Sequence, residues 1–209
     1  SAVRDHLDDV IEALKQHRYE KDYYYEVRAW DRSSLPLIER AARTIFLNKT
    51  GFNGLYRVNS KGLFNVPFGR YSNPKICDEA NLPACSEVLQ GTELRHTDFE
   101  GLLKEPTEGD FVYLDPPYIP LNATANFTAY TAGGFGPDDQ RRLASSLVGA
   151  HRRGARFLLS NADTKPTREL YRELLDEPGV DLDIVRARRA INSKAGRRGP
   201  VNEVVIFNR

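Results

Sequence analysis

At 209 residues, 40% hydrophobic and 28% charged, the chain has the make-up of a globular protein of one or two domains and is neither disordered nor fibrous. No apolar run approaches the roughly 20 residues of a membrane-crossing helix, and no signal-peptide pattern opens the sequence. A formal net charge of +1 announces no nucleic-acid partner through bulk electrostatics, so only the local distribution of charge is informative.

Leu7, Val10, Ile11 and Leu14 recur at helical spacing and predict an amphipathic helix over 3–17. The aromatic-rich stretch from Asp22 to Asp31 predicts a second short helix. Ile38, Ala41, Ala42 and Ile45 mark the inner side of a third over 35–47. In the segment that follows, Asn59-Ser60-Lys61-Gly62 is a turn with glycine at the left-handed position, so Leu55–Asn59 and Leu63–Val66 are expected to pair as a hairpin. Its polar, basic and flat side chains suit a ribbon laid in a DNA major groove; a purely structural surface hairpin is the alternative. A short strand is expected over 93–96. From Asp110 onward strands and helices alternate: a strand over 111–114, then a helix opened by Pro137 with Asp138 and Asp139 in its first turn and reaching His151. A strand over 156–160, a helix over 167–175 and two closing strands over 180–188 and 201–207 complete the pattern. It predicts an α/β sheet covered on both faces, with the closing strands as an antiparallel edge pair.

Lys49, Arg57, Lys61 and Arg70 punctuate one segment, and Arg186, Arg188, Arg189, Lys194, Arg197 and Arg198 crowd another. Basic clusters in a balanced total suit a protein that meets phosphates on one face, although such runs are more often solvated surface. Cys77 and Cys85 form neither a disulfide framework nor a metal motif, which makes a reducing, intracellular location the default. His6, His17, His96 and His151 are scattered without ligand spacing, so no metal is expected.

The sharpest chemical signal is Asp115-Pro116-Pro117-Tyr118 at the end of the apolar run Phe111-Val112-Tyr113-Leu114. An exocyclic amine on a nucleobase is a poor nucleophile because its lone pair is delocalised into the ring. A carboxylate and a backbone carbonyl, each accepting one N–H, bias that nitrogen toward pyramidal geometry. Asp115 offers the first acceptor and the Pro116 carbonyl the second, while two prolines hold the turn rigid before the base arrives. Tyr118 offers a flat face for an extruded base. The competing interpretation is a diproline loop with a solvated Asp and a packed Tyr.

The segments Phe52-Asn53-Gly54-Leu55-Tyr56-Arg57-Val58-Asn59 and Phe64-Asn65-Val66-Pro67-Phe68-Gly69-Arg70-Tyr71 closely resemble the target-recognition hairpin of Dam-type DNA adenine methyltransferases. The catalytic turn, the following Pro120-Leu121, Ala123-Thr124 and Phe127-Thr128-Ala129-Tyr130, and Ser160-Asn161 at the next strand end match the same family in order. The resemblance implies a Rossmann-like methyltransferase sheet, incomplete at its start, with an inserted helical and hairpin DNA-recognition domain. It divides the chain into a catalytic-domain helix over 1–17, the recognition domain over 18–90 and the catalytic domain over 91–209. It further implies transfer of a methyl group from S-adenosylmethionine to adenine in double-stranded DNA, with GATC as target, by a cytoplasmic, DNA-associated bacterial or phage enzyme that can have a restriction partner. By the same resemblance Asp115, Pro116, Pro117 and Tyr118 are catalytic, Asp98, Phe99 and Asp115 meet the cofactor, and Phe127 and Tyr130 close the base pocket. Phe52 enters the duplex, Asn53, Leu55, Arg57 and Pro67 lie on the reading hairpin, and Lys61 and Arg70 suit phosphates. Lys194, Arg197 and Arg198 join the DNA-contacting set as the basic loop.

The family also opens with a strand and glycine-rich turn that approach the methionine portion of the cofactor, and these 209 residues hold no counterpart. Gly133-Gly134-Phe135-Gly136 comes after the catalytic turn and suits a loop hinge. The expectation is therefore a piece of a longer or split enzyme, which alone binds S-adenosylmethionine poorly. Two other functions remain open: an RNA base methyltransferase, disfavoured because a narrow A-form major groove would not admit the hairpin, and a DNA-binding fragment or subunit without activity.

Overall fold

The computed structural model describes residues 1–119, 135–188 and 200–209, which divide into two compact units, Ser1–Arg95 and His96–Arg209.

The first unit is helical. Helices α1 (Ala2–Asp5), α2 (Leu7–Lys15), α3 (Lys21–Ala29), α4 (Leu37–Thr50) and α5 (Asn81–Leu89) enclose two apolar clusters. Val10, Leu14, Ala42 and Leu82 form one, and Tyr24, Val27, Phe46 and Leu47 the other. Residues 1–17, expected with the catalytic segment, pack here through Val10 and Leu14. The single helix expected over 3–17 is two, because His6 sits at φ −140°, ψ 47°, outside helical space. Helix α5 was not expected: Pro83 hides its periodicity, yet it sits in the first turn, where a missing N–H costs no helical bond.

The expected hairpin is present, but as isolated antiparallel bridges, Val58 with Phe64 and Gly51 with Phe68, not as a continuous ladder. Its turn is built by Asn59, whose Oδ1 accepts from the Lys61 and Leu63 amides at 2.9 and 3.1 Å, with Gly62 at φ 74°. Asn59 N donates to Leu63 O at 2.9 Å and Asn65 N to Arg57 O at 3.0 Å. Tyr24, fully buried, donates its hydroxyl to Val66 O at 3.0 Å and so ties the ribbon to α3.

The second unit is α/β with a small mixed sheet. Strands β1 (Phe111–Leu114), β2 (Arg156–Ala162), β3 (Val180–Arg188) and β4 (Pro200–Asn208) lie in the order β1-β2-β4-β3. β1 and β2 run parallel, joined through helix α7 (Pro137–Arg152), while β2–β4 and β3–β4 are antiparallel. Short helices α6 (Phe99–Leu102), α8 (Lys165–Leu170) and α9 (Arg172–Leu175) complete the unit. The helix expected over 167–175 breaks at Tyr171, whose ψ of 13° leaves the helical region. Leu143, Leu147, Phe157, Leu159, Leu174 and Ile206 pack the core between the helices and one sheet face.

Two expectations are corrected. Cover on both faces is not found among the described residues. Within the described sheet β1 lies at an edge, and Phe111 and Tyr113 are 63% and 64% exposed, because alternate residues of a strand point to opposite faces and the described helices cover the Val112–Leu114 side. The strand over 93–96 is also absent, since a strand needs a hydrogen-bonded neighbour and no described segment pairs with it. Glu93 instead accepts from Arg95 at 2.6 Å.

Candidate active site

Parallel pairing of β1 with β2 sets Leu114 opposite Leu159, so Asp115 and Ser160 emerge side by side at the carboxyl ends of the two strands. That is where open α/β sheets take their ligands. Ser160 Oγ donates to Asp115 Oδ1 at 3.0 Å and orients an exposed carboxylate. A carboxylate oxygen pair has room for further donors beside that one.

The rest of the turn is held from below. Gln140 Nε2 donates to the Pro117 carbonyl at 2.7 Å, and the Ile119 amide donates to Asn161 Oδ1 at 3.0 Å. Tyr118 donates its hydroxyl to Glu203 Oε2 at 3.3 Å, and partial burial pushes its phenol above the ordinary value. Gln140 and Asn161 are both fully buried.

Beside the turn lies a cavity of about 290 Å³ whose lining includes Phe99, Val112, Leu114, Asp115, Pro116 and Phe135. Phe99 and Phe135 stand 5.7 Å apart, ring centre to ring centre. Of the residues expected at the cofactor, Phe99 and Asp115 line this cavity and Asp98 does not; of the other residues of the turn, Pro116 lines it and Pro117 and Tyr118 do not. Asp98 caps α6, accepting from the Glu100 amide at 2.9 Å, and faces Arg142 at 2.8 Å. The Glu100 N–H first, and Arg142 after it, hold its carboxyl below the usual range. Arg142 also lies 5.0 Å over the Phe99 ring. Neither Phe135 nor Gln140 stands out in the sequence as a site residue: one lies within the glycine-rich stretch expected to be a hinge, the other is a polar residue on a helix whose burial no local pattern reveals.

In the first unit, Phe52 is 49% exposed on a tight turn with Asn53 at φ 53°. Leu55 is half-buried, and Arg57, Lys61, Pro67 and Arg70 are exposed. Arg57 is clamped across the hairpin, its Nε donating to Asn65 Oδ1 at 2.7 Å and its Nη2 to Asn65 O at 3.2 Å. Alongside runs a cavity of about 730 Å³ whose lining includes Arg28, Arg32, Arg40, Arg43, Trp30 and Tyr56. No carboxylate pairs with any of these four arginines among the described residues. Arg43 is only 5% exposed and donates to the Val27 and Arg28 carbonyls at 2.9 and 2.7 Å; burial, then nearby Arg32, lowers its affinity for its proton. The sequence reading passed over these four residues because they are spread over two helices and a loop, and only tertiary packing gathers them.

Phe127 and Tyr130, and Lys194, Arg197 and Arg198, lie outside the described residues. Among the described residues no group of His, Cys, Asp and Glu could hold a metal ion, and no helix is long and apolar enough to cross a membrane.

The model of the D12 class N6 adenine-specific DNA methyltransferases matches residues 1–190. The chain belongs to that family. It is 39% identical over 214 residues to the type II methyltransferase M1.LlaDCHI of Lactococcus lactis subsp. cremoris, covering 99% of this chain and 73% of that protein. With the type II methyltransferase M.MjaIII of Methanocaldococcus jannaschii it shares 41% over 219 residues, covering 99% and 74%. With the DNA adenine methylase of Escherichia coli K12 it shares 38% over 186 residues, covering 89% and 64%. Membership in the D12 class implies a methyl donor and a DNA substrate.

Proposed function

We propose that this chain methylates the N6 amine of adenine in duplex DNA and that Asp115-Pro116-Pro117-Tyr118 is the reacting turn. Asp115, steadied by Ser160, accepts one amine N–H, and the Pro116 carbonyl accepts the other. Together they draw the lone pair out of ring conjugation toward an in-line attack. Tyr118 stacks on the extruded base, and Phe127 and Tyr130 cover it. The proton leaves the cationic methylated amine after transfer, so no strong base is needed.

S-adenosylmethionine supplies the electrophilic methyl group. Phe99, Phe135 and their apolar neighbours fit its adenine ring, in a cavity at the small end of the usual ligand-pocket range of roughly 300–1,000 Å³. Asp98 supports that wall through Arg142, and Asp115 stands at its edge.

Residues 18–90 serve target recognition and 91–209 catalysis. Phe52 enters the duplex, and Asn53, Leu55, Arg57 and Pro67 read bases, with GATC as the target. Lys61, Arg70, the arginine-lined cavity and the basic residues Lys194, Arg197 and Arg198 meet phosphates. The observation that carries this proposal is the carboxylate of Asp115, held by Ser160 beside an aromatic-walled cavity. Transfer of labelled methyl groups tests it. A duplex with one GATC should be labelled, and the same duplex with that adenine replaced should not. Labelling of structured RNA in preference to both would overturn it.

A further inference from the structure

Gln140 is the one helix residue of the second unit whose side chain reaches the backbone of the reacting turn, among the described residues. Its orientation is dictated by a chain of donors. Asn161 Oδ1 accepts from the Ile119 and Ala162 amides at 3.0 and 2.9 Å, so its amide nitrogen must face the other way, toward Gln140 Oε1 at 3.4 Å. Tyr171 donates its hydroxyl to the same Oε1 at 2.8 Å, and burial keeps that phenol protonated by raising it. Gln140 Oε1 is thus committed as an acceptor, which turns Nε2 onto the Pro117 carbonyl at 2.7 Å. No described buried side-chain donor or acceptor lacks a partner. The Pro117 carbonyl and the Ile119 amide flank Tyr118, so both of its peptide planes are pinned.

We propose that Gln140 is a positioning residue. Through the Pro117 carbonyl it sets the direction of the neighbouring Pro116 carbonyl and of the Tyr118 ring, and Tyr171 and Asn161 fix its own amide. This rests on the Asp115 turn being the reacting one. Small misplacements of a reacting group are costly: about 1 Å can lower a rate roughly 10²-fold.

The test is Gln140→Met and Gln140→Glu in the intact enzyme, followed by single-turnover methylation, DNA affinity and amide hydrogen exchange. Q140M should lose on the order of 10²-fold in the methylation step with DNA affinity little changed. It should also speed exchange at Ile119 while the β2–β4 amides stay protected. Q140E should be equally slow at neutral pH and recover as the pH falls, because only a protonated Glu can donate to the Pro117 carbonyl. Native enzyme should show no such recovery on acidification. A folded Q140M with native rate and native Ile119 exchange overturns the proposal, as does a Q140E whose rate ignores pH. Should Q140M fail to fold, Tyr171→Phe carries the test, with a slower methylation step, unchanged DNA affinity and faster Ile119 exchange; native values for all three overturn it. A native protein that methylates no adenine defeats the proposed function instead, and the exchange readout still decides the clamp.

Discussion

Arg57→Ala separates base reading from phosphate holding. The free hairpin already orients this guanidinium: Nε and one Nη2 hydrogen are committed to Asn65, at 2.7 and 3.2 Å. What remains is the end-on fork of Nη1 with the second Nη2 hydrogen, the pair of donors that matches O6 and N7 of guanine. A bidentate contact of that kind is worth about 1–3 kcal/mol against a wrong base. At about 1.4 kcal/mol per decade, the substitution should cut discrimination at one base pair by roughly 5- to 150-fold. Arg57 is exposed, so folding stability should shift by no more than about 0.5 kcal/mol. Asn65→Ala keeps the fork but frees it, and should cost about 0.5–1.5 kcal/mol of binding as the side chain is ordered on DNA. The assay is titration of the cognate duplex and of single-substitution duplexes at several salt concentrations. Equal weakening on every duplex, with the salt slope reduced by about 1, would mark Arg57 as a phosphate contact and refute the reasoning.

Asp115→Ala should abolish methyl transfer while DNA affinity measured by gel shift stays near native; retained turnover would remove the carboxylate from the mechanism. Asp98 titrates below its ordinary range, so its contribution to stability is present above about pH 3.9, the unfolded value, and disappears as the pH falls through the lower folded value. The difference in urea midpoint between native protein and Asp98→Asn should therefore shrink on acidification through that window, and a constant difference would exclude ionised Asp98 as its source. A Cβ at Gly69 would meet Thr50 O at 2.8 Å and overlap the Tyr71 ring, which is tethered by its hydroxyl to Gly51 O at 3.0 Å. Gly69→Ala should thus destabilise the first unit by about 1–3 kcal/mol in chemical denaturation, and a native midpoint would show that the hairpin return can yield.

Local chemistry was legible in the sequence. Pro137 with two acidic residues behind it started α7, the valine- and isoleucine-rich runs became β3 and β4, and Asp115-Pro116-Pro117-Tyr118 fell at a strand end beside Ser160. Periodicity, prolines and turn residues act over a few neighbours, so they can be read without the fold. The hairpin turn at Asn59–Gly62 belongs to the same class. The breaks at His6 and Tyr171 depend on backbone angles that no propensity encodes, and α5 was masked by its proline.

Long-range contacts decided the rest. Gln140 lies 23 residues from the carbonyl it holds, and Asn161 lies 42 from the amide it receives. Nothing in a polar residue's neighbours along the chain tells whether it faces water or a buried carbonyl. The arginine cavity and the aromatic wall of Phe99 and Phe135 are likewise products of packing. The sequence by itself determined that a carboxylate and two prolines would stand at the end of a strand; the tertiary structure alone decided how firmly that turn is held, because burying a polar group demands partners that only distant segments could bring.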